Sequence, residues 1–390
     1  MGCRRLSQAI CWPWIEWFAR RIDDPVARLQ YLQKVRPLAF PQMRRWRAIW
    51  QLSMAALVLL AVLGSFFLTR ASARVKTVAA EVPKTHLSEK PASPAAKVWL
   101  VDKTAESETY SNGLRIDTRY MVANHPRSYL AFPVDRPDSS GVRRNQPAGI
   151  VFHTTESRQA PFEASENRTL KRIGESLLDY VRRKYAYHFL IDRFGRVYSI
   201  VPETDAANHA GFSVWADDTW FYLNLNESFL GVSFEARTEP GQVEPSVSAA
   251  QVRSAAMLTE MLRDHYDLSP WNCVTHAQVS VNPDNMRVGF HTDWASSFPF
   301  AQLGLPDNYA RPLPALTAFG FEYDATFLRW AGTRLYGGVE LAEGQLSRAA
   351  AASGVTEEAL RKMLRKRYSQ HLAEVRRVDA RSEESEDPDQ

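Results

Sequence analysis

Three short apolar segments, each leading into a histidine, constrain the fold of this chain more than any other feature of its sequence. The segments are GIVFHTTES (Gly149–Ser157), VTHAQVSVNPDN (Val274–Asn285) and GFHTDW (Gly289–Trp294). The apolar residues before each histidine are typical of strands, and a buried strand holds the side chain at its end rigidly. The segments therefore predict a sheet whose strand ends carry polar, chemically active side chains.

The side chains at these ends include a typical set of metal ligands. The segments supply His153, His276, His291 and Asp293. Period-two alternation along an extended Phe290–Trp294 would put His291 and Asp293 on the same face. Two imidazoles and one carboxylate, with a fourth position open to water, form the ligand set of hydrolytic zinc sites. A lone histidine at a strand end is more often a core or turn residue, so spacing alone leaves both interpretations open.

Composition indicates a globular chain with appendages. Its 390 residues leave room for about two domains, and 45% of them are apolar. The net charge of +4 is too small to indicate nucleic-acid binding. The three cysteines are too few, and odd in number, for a disulfide framework. Cys273 precedes His276 by an odd offset on a predicted strand, which favours a buried thiol over a ligand pair.

A charge-free stretch, Ile49–Leu68, predicts a transmembrane helix. The segment before it, residues 1–48, is strongly basic, which predicts a cytoplasmic N-terminus and an extracytoplasmic remainder. The alternative is a signal peptide cleaved near Ala71–Ala73. The basic segment is far longer than the charged start of a signal peptide, which favours a retained anchor.

The remaining chain divides by composition into a linker, a lead-in and a core. Residues 69–97 are rich in Ala, Pro, Lys and Ser and predict a linker. Residues 98–147 predict a strand-rich lead-in to the core at 148–310, where strands alternate with helices. Such alternation indicates an α/β fold with a mixed central sheet flanked by helices. Predicted helices in the core are Thr169–Arg183 and one from about Ser248 to His265, opened by a capping-box pattern.

The C-terminal part of the chain predicts a small helical module at residues 334–370 and an acidic disordered tail at 379–390. Two short helices are expected to meet at Ser353–Val355. The segment Gly337–Tyr368 weakly resembles a LysM peptidoglycan-binding module. The alternative is a helical pair docked on the preceding domain or on a partner.

Five segments, in order, resemble the type 2 zinc N-acetylmuramoyl-L-alanine amidases. They are IVFHTTES, YHFLIDRFGRVYSIV, NHAG, the strand ending in Glu235, and THAQVS followed by HTDW. This family includes phage lysozyme-type amidases, anhydromuramyl amidases and peptidoglycan recognition proteins. The resemblance covers roughly residues 145–305 and implies the mixed sheet of that family.

The resemblance also implies roles for individual residues. It implies that His153, His276 and Asp293 bind Zn²⁺ and that Glu235 is the general base. Without the resemblance, Glu235 would be interpreted as a surface residue at a strand end. The family commonly has Lys at the position of His291, so a protonated imidazole would stabilise the oxyanion there, with His291 as the alternative third ligand.

Three more residues match positions that face the substrate cleft in the family, namely His188, Asn208 and His209. For the two histidines, a structural role is the alternative.

The sequence thus predicts a membrane-anchored zinc hydrolase that cleaves the amide bond between N-acetylmuramic acid and L-alanine. Its expected partners are peptidoglycan or muropeptides and the membrane. Its expected location is the bacterial inner membrane, with a single pass and a periplasmic catalytic domain. The alternative is a non-catalytic peptidoglycan-binding protein, because members of the family that lose zinc ligands act as receptors. Retention of all three ligand types together with Glu235 favours the enzyme.

Overall fold

The computed structural model describes residues 97–239, 242, 246–323 and 325–385. The predicted transmembrane helix at 49–68, the basic segment before it and the linker up to residue 96 lie outside this range. Within the described residues, no helix is both long enough and apolar enough to cross a membrane. All described residues fall within one structural unit, residues 91–390.

The described residues form fourteen strands and seven α-helices, numbered in chain order. The strands are β1 (Leu100–Lys103), β2 (Ser107–Tyr110), β3 (Arg115–Asp117), β4 (Tyr129–Pro133), β5 (Val142–Arg144), β6 (Gly149–Thr154), β7 (Phe189–Ile191), β8 (Val197–Ser199), β9 (Val214–Ala216), β10 (Trp220–Leu223), β11 (Phe229–Phe234), β12 (Cys273–Thr275), β13 (Val281–Asn282) and β14 (Arg287–Val288). The helices are α1 (Asn167–Arg183), α2 (Leu225–Ser228), α3 (Ala249–Tyr266), α4 (His276–Val279), α5 (Pro314–Thr317), α6 (Ala325–Ser353) and α7 (Glu357–Ser385).

A mixed eight-stranded sheet forms the centre of the structure, in the order β1-β2-β3-β8-β7-β11-β6-β12. Strands β7, β11, β6 and β12 run parallel to one another, so their carboxyl ends meet at one edge. A second sheet has the order β5-β4-β10-β9. The lead-in at 98–147 therefore supplies strands to both sheets, and the predicted mixed α/β architecture is confirmed.

Helices α1 and α3 cover opposite faces of the central sheet. Leu177 and Val181 of α1 pack with Leu190 of β7, whereas the neighbouring Phe189 points into the cluster that contains Leu258 of α3. Alternation along β7 places these two clusters on opposite faces. The predicted capping box at the start of α3 is present, with Ser248 and Gln251 bonded reciprocally.

Helices α6 and α7 pack into the same hydrophobic core as the central sheet. The core cluster includes apolar side chains from β6, β11, α6 and α7, among them Phe152, Phe234, Ala331, Leu335, Leu346, Leu364, Tyr368 and Leu372. Both helices are longer than the short ones expected within 334–370, and they share this core instead of forming a separate small module. A turn at Gly354, with φ of 67°, joins them.

A hydrogen bond ties α6 to the residues after β14, because the Ser296 hydroxyl donates to the carbonyl oxygen of Ala331 at 2.8 Å. Within the residues after β14, the Tyr309 hydroxyl donates to the carbonyl oxygen of Trp294. Helix α7 continues through residues 379–385, where the sequence predicted the start of a disordered tail. Ala and charged residues with good helix propensity allow this extension. Residues 386–390 lie outside the described range.

Candidate metal centre and active site

Two histidines and one aspartate meet at the carboxyl ends of β6 and β12. Because Thr275 pairs with Phe152 across these parallel strands, the next residues, His276 and His153, lie side by side. The Nδ1 atoms of His153 and His276 lie 3.5 Å and 2.9 Å from the Oδ2 and Oδ1 atoms of Asp293, respectively. One ligand-type atom from each of the three residues lies within 4.8 Å of the other two. The three side chains could therefore hold one metal ion.

Asp293 reaches this cluster by a turn and not by the extended conformation that the sequence suggested. Its backbone carbonyl accepts a hydrogen bond from Ala277 at 3.2 Å, and its Oδ2 accepts one from the Thr154 backbone N–H at 3.3 Å. The next residue, Trp294, has a φ of 59° and a fully buried indole that packs on Phe234. Burial of this indole draws the chain inward and turns the Asp293 carboxylate toward the two histidines.

The chemistry of the cluster fits a divalent cation. Burial lowers the pKa of His153 to about 4, so its ring is neutral near pH 7. Although burial opposes ionisation, His276 and His153 hold the pKa of Asp293 well below its usual range. The Nε2 atom of His276 is buried and has no hydrogen-bond partner among the described residues. Two imidazoles and a buried carboxylate that needs a positive partner are the donor set of a zinc site.

Glu235 follows β11 on the same face of the sheet as His153. Ser233 pairs with His153, and Glu235 stands two residues further along, where alternation returns the side chain to that face. Its side chain is buried, with the residue only 3% exposed, and its Oε2 accepts a hydrogen bond from the Arg193 backbone N–H at 3.1 Å. Burial raises the pKa of Glu235 to about 7 despite that hydrogen bond. The interpretation as a surface residue therefore does not apply.

His291 lies exposed at the rim of the cluster. Its ring stacks on that of His276, with centroids 4.5 Å apart and planes 22° apart. The His291 backbone N–H donates to the Ser280 hydroxyl at 2.8 Å. Partial burial and then the neighbouring His276 lower the pKa of His291, which does not support the expected imidazolium. A neutral ring still carries one N–H donor. In the described part of the chain, the ligand cluster includes Asp293 and not His291.

Comparison with known proteins identifies the domain that contains these residues. The sequence model of the N-acetylmuramoyl-L-alanine amidase family matches residues 143–293. Residues 143–293 belong to the type 2 amidase family. The match ends at Asp293, the third member of the ligand cluster. A search of curated proteins found no match to the chain.

Several solved amidase structures resemble this type 2 amidase domain. The amidase AmiD from E. coli, solved with anhydro-N-acetylmuramic acid-L-Ala-D-γ-Glu-L-Lys, is 22% identical over 52% of this chain and 65% of its own, with a TM-score of 0.31. The amidase LysC from Clostridium intestinale URNW is 18% identical over 47% of this chain and 93% of its own, with a TM-score of 0.26. The drosophila peptidoglycan recognition protein SD is 16% identical over 43% of this chain and 86% of its own, with a TM-score of 0.27.

His209 contacts a ligand residue of the type 2 amidase domain directly. Its Nδ1 lies 3.1 Å from Nε2 of His153, and its Nε2 lies 3.2 Å from the carbonyl oxygen of Phe229. Burial, followed by the neighbouring His153 and His188, lowers the pKa of His209 well below its ordinary value. The ring is thus neutral and lies behind His153.

The other two residues matched to the substrate cleft make contacts within the protein. His188 is fully buried, its Nδ1 accepts from the Gly231 backbone N–H at 2.9 Å, and its Nε2 lies 3.0 Å from the Asp205 carbonyl oxygen. These contacts favour the structural alternative for His188. Asn208 is exposed, and its side-chain amide donates to the Lys184 carbonyl oxygen at 3.0 Å.

Tyr187 is a site residue that the sequence did not single out. Its ring centroid lies 5.2 Å from that of His153. Burial, and then the Asp293 carboxylate, raise the pKa of Tyr187 to about 12, so the phenol stays a proton donor. Tyr187 precedes β7 and has a φ of 63°, a conformation uncommon for a bulky residue. No local pattern in the sequence requires this conformation, so the sequence did not reveal the orientation of the ring.

Proposed function

We propose that this chain is a membrane-anchored zinc amidase that hydrolyses the bond between N-acetylmuramic acid and L-alanine in peptidoglycan or its fragments. The observation that carries the proposal is the buried cluster of His153, His276 and Asp293, with Glu235 on the same sheet face, inside a type 2 amidase domain. Metal-assisted amide hydrolysis requires a set of metal ligands and a carboxyl group with a pKa near neutrality.

Each residue has a distinct task in this proposal. A zinc ion held by the three ligand residues would supply Lewis-acid activation of water and of the scissile carbonyl. Glu235, with a pKa of about 7, accepts the proton of the attacking water and passes it to the leaving alanine nitrogen. The phenol of Tyr187 and the ring N–H of His291 are the neutral donors available to the developing oxyanion.

The charge pattern of the N-terminal region supports a periplasmic location for the amidase domain. The basic segment 1–48 stands before the apolar stretch 49–68, which favours a cytoplasmic N-terminus. Peptidoglycan lies outside the cytoplasmic membrane. With a cytoplasmic N-terminus, the amidase domain would lie on that same side.

The test is release of stem peptides from purified peptidoglycan sacculi by the full-length chain in detergent, followed by mass spectrometry. We expect free peptides that begin with L-alanine, loss of release after chelation, and recovery with Zn²⁺. Glu235→Gln should lose this activity, whereas the matched control Glu175→Gln, an exposed carboxylate on α1, should keep it.

Two outcomes would contradict the proposal. Peptide release that survives complete chelation would exclude the zinc mechanism. Tight binding to sacculi without release, by a zinc-loaded wild-type chain, would support the non-catalytic binding protein instead.

A further inference from the structure

We propose that His209 is a positioning residue that sets the tautomer of His153, so that the Nδ1 lone pair of His153 faces Asp293 and the metal centre. This inference deepens the proposed function and rests on it for the identity of the metal. It assigns His209 to support of a ligand and not to the substrate cleft.

His209 contacts the backbone of β11 through one of its two ring nitrogens. The Nε2 atom of His209 lies 3.2 Å from the carbonyl oxygen of Phe229, which can only accept a hydrogen bond. The ring hydrogen of His209 must therefore be on Nε2. A neutral imidazole carries one N–H, so Nδ1 of His209 is left as an acceptor.

The acceptor nitrogen of His209 constrains the ring of His153 in turn. The Nδ1 acceptor of His209 lies 3.1 Å from Nε2 of His153, so His153 must donate from Nε2. Its other ring nitrogen, Nδ1, then carries a lone pair and lies 3.5 Å from Oδ2 of Asp293. A lone pair opposite a carboxylate oxygen is favourable only with a cation between them. The hydrogen bond from Nε2 of His153 to Nδ1 of His209 thus selects the tautomer of His153 whose Nδ1 can bind a metal.

His209 is held in place by contacts on two sides. The Oδ1 atom of Asn226 accepts from the backbone N–H groups of His209, Ala210 and Gly211 at 2.8, 2.7 and 2.7 Å, which fixes the loop. On the other side, a Cβ atom at Gly231 would lie 2.7 Å from Cγ of His209. The ring is therefore held against β11 at a position that only glycine leaves open.

The test compares two substitutions that each retain a different hydrogen bond of His209. In His209→Asn, Oδ1 replaces Nδ1 as the acceptor for His153. In His209→Gln, the side-chain amide can still donate to the Phe229 carbonyl, but the acceptor at the Nδ1 position is lost. Zn²⁺ affinity of the full-length chain is measured by competition with a chelator. We expect affinity close to wild type for Asn and about 10–100-fold weaker for Gln.

A second measurement reports on the tautomer without zinc. Nitrogen-15 chemical shifts of the metal-free, histidine-labelled chain should show hydrogen on Nε2 of His153 in the wild type and in His209→Asn. They should show a mixture of tautomers in His209→Gln. Thermal unfolding identifies any variant that loses affinity because it does not fold.

The results separate this inference from the proposed function. Wild-type Zn²⁺ affinity in the folded Gln variant, or an Asn variant as weak as the Gln variant, would overturn the role of His209. A wild-type chain that binds no zinc would overturn the proposed function, and the nitrogen-15 shifts would still decide the role of His209.

Discussion

The Oε2 atom of Glu235 accepts a hydrogen bond from the backbone nitrogen of Arg193 at 3.1 Å, in the turn that joins β7 to β8. The carboxyl group is buried, and burial outweighs this single hydrogen bond, so its pKa rises to about 7. A base whose pKa lies near the working pH is the most effective proton acceptor. The same burial means that ionisation of the Glu235 carboxyl group lowers the free energy of unfolding.

Glu235→Gln should therefore lower activity and raise stability. The pKa in the folded chain, about 7, exceeds the ordinary value of 4.5, so the folded state prefers the protonated carboxyl. Its contribution to stability is complete below pH 4.5 and is lost as pH rises through 7. We expect the rate of peptide release to fall by about 10²–10⁴-fold. The melting temperature should rise at pH 8 and stay unchanged at pH 4. Equal shifts at both pH values would contradict this account.

Chelation should lower the melting temperature of the wild type. A ligand that binds only the folded state at 100 times its Kd adds about 2.7 kcal/mol of stability, which is several degrees for a chain of this size. Asp293→Ala, which lacks the carboxylate between His153 and His276, should melt at the same temperature with and without chelator. His265→Ala, on the exposed side of α3, is the matched control and should respond as the wild type does. A chelator effect retained in Asp293→Ala would argue against this cluster.

His291 should act as a neutral donor. His291→Ala is expected to lower kcat by about 10²-fold with little change in KM, because the donor contacts only the developing oxyanion. His291→Lys should retain activity, since its ammonium can donate to the same oxygen. Because burial and His276 lower the pKa of His291, the wild-type rate should not fall as pH rises from 6 to 8. A fall over this range that His291→Lys abolishes would instead establish the imidazolium.

Gly289→Ala should disturb the metal centre through α6. A Cβ atom at Gly289 would lie 1.9 Å from Cδ2 of Phe327, and the φ of 84° there is strained for any other residue. We expect a loss of stability of about 1–3 kcal/mol and weaker Zn²⁺ affinity, measured by thermal unfolding and chelator competition. Gly337→Ala, where a Cβ meets nothing within 4 Å, is the matched control and should be neutral or stabilising. Similar destabilisation by both substitutions would exclude this contact as the cause.

Features that depend on a few neighbouring residues could be predicted from the sequence. The apolar run before His153 predicts a buried strand with a rigid polar end, which the structure contains at β6. The capping box of Ser248 and Gln251 likewise predicts the start of α3. The strand depends on local periodicity and the helix start on local hydrogen bonds. Both can be recognised from a few consecutive residues.

Features that depend on contacts between distant segments could not be predicted in the same way. The contact between His209 and His153 exists because Asn226 fixes one loop and Gly231 leaves space beside a strand. The orientation of Tyr187 depends on a positive φ that no local pattern requires. An amphipathic helix also does not reveal which surface it covers, so the packing of α6 and α7 could not be read from their sequences.

The contact between Gly289 and Phe327 has a consequence for how this gene can change. Recombination can exchange a terminal segment without harm to the rest of a protein only where few contacts cross the boundary between the two. Here the residues just before Asp293 rest on α6, and the hydroxyl of Ser296 is bonded to Ala331. A crossover between residues 310 and 325 would remove the support beneath the third ligand. Helices α6 and α7 are thus expected to diverge by compensated point substitutions and not by exchange of a module.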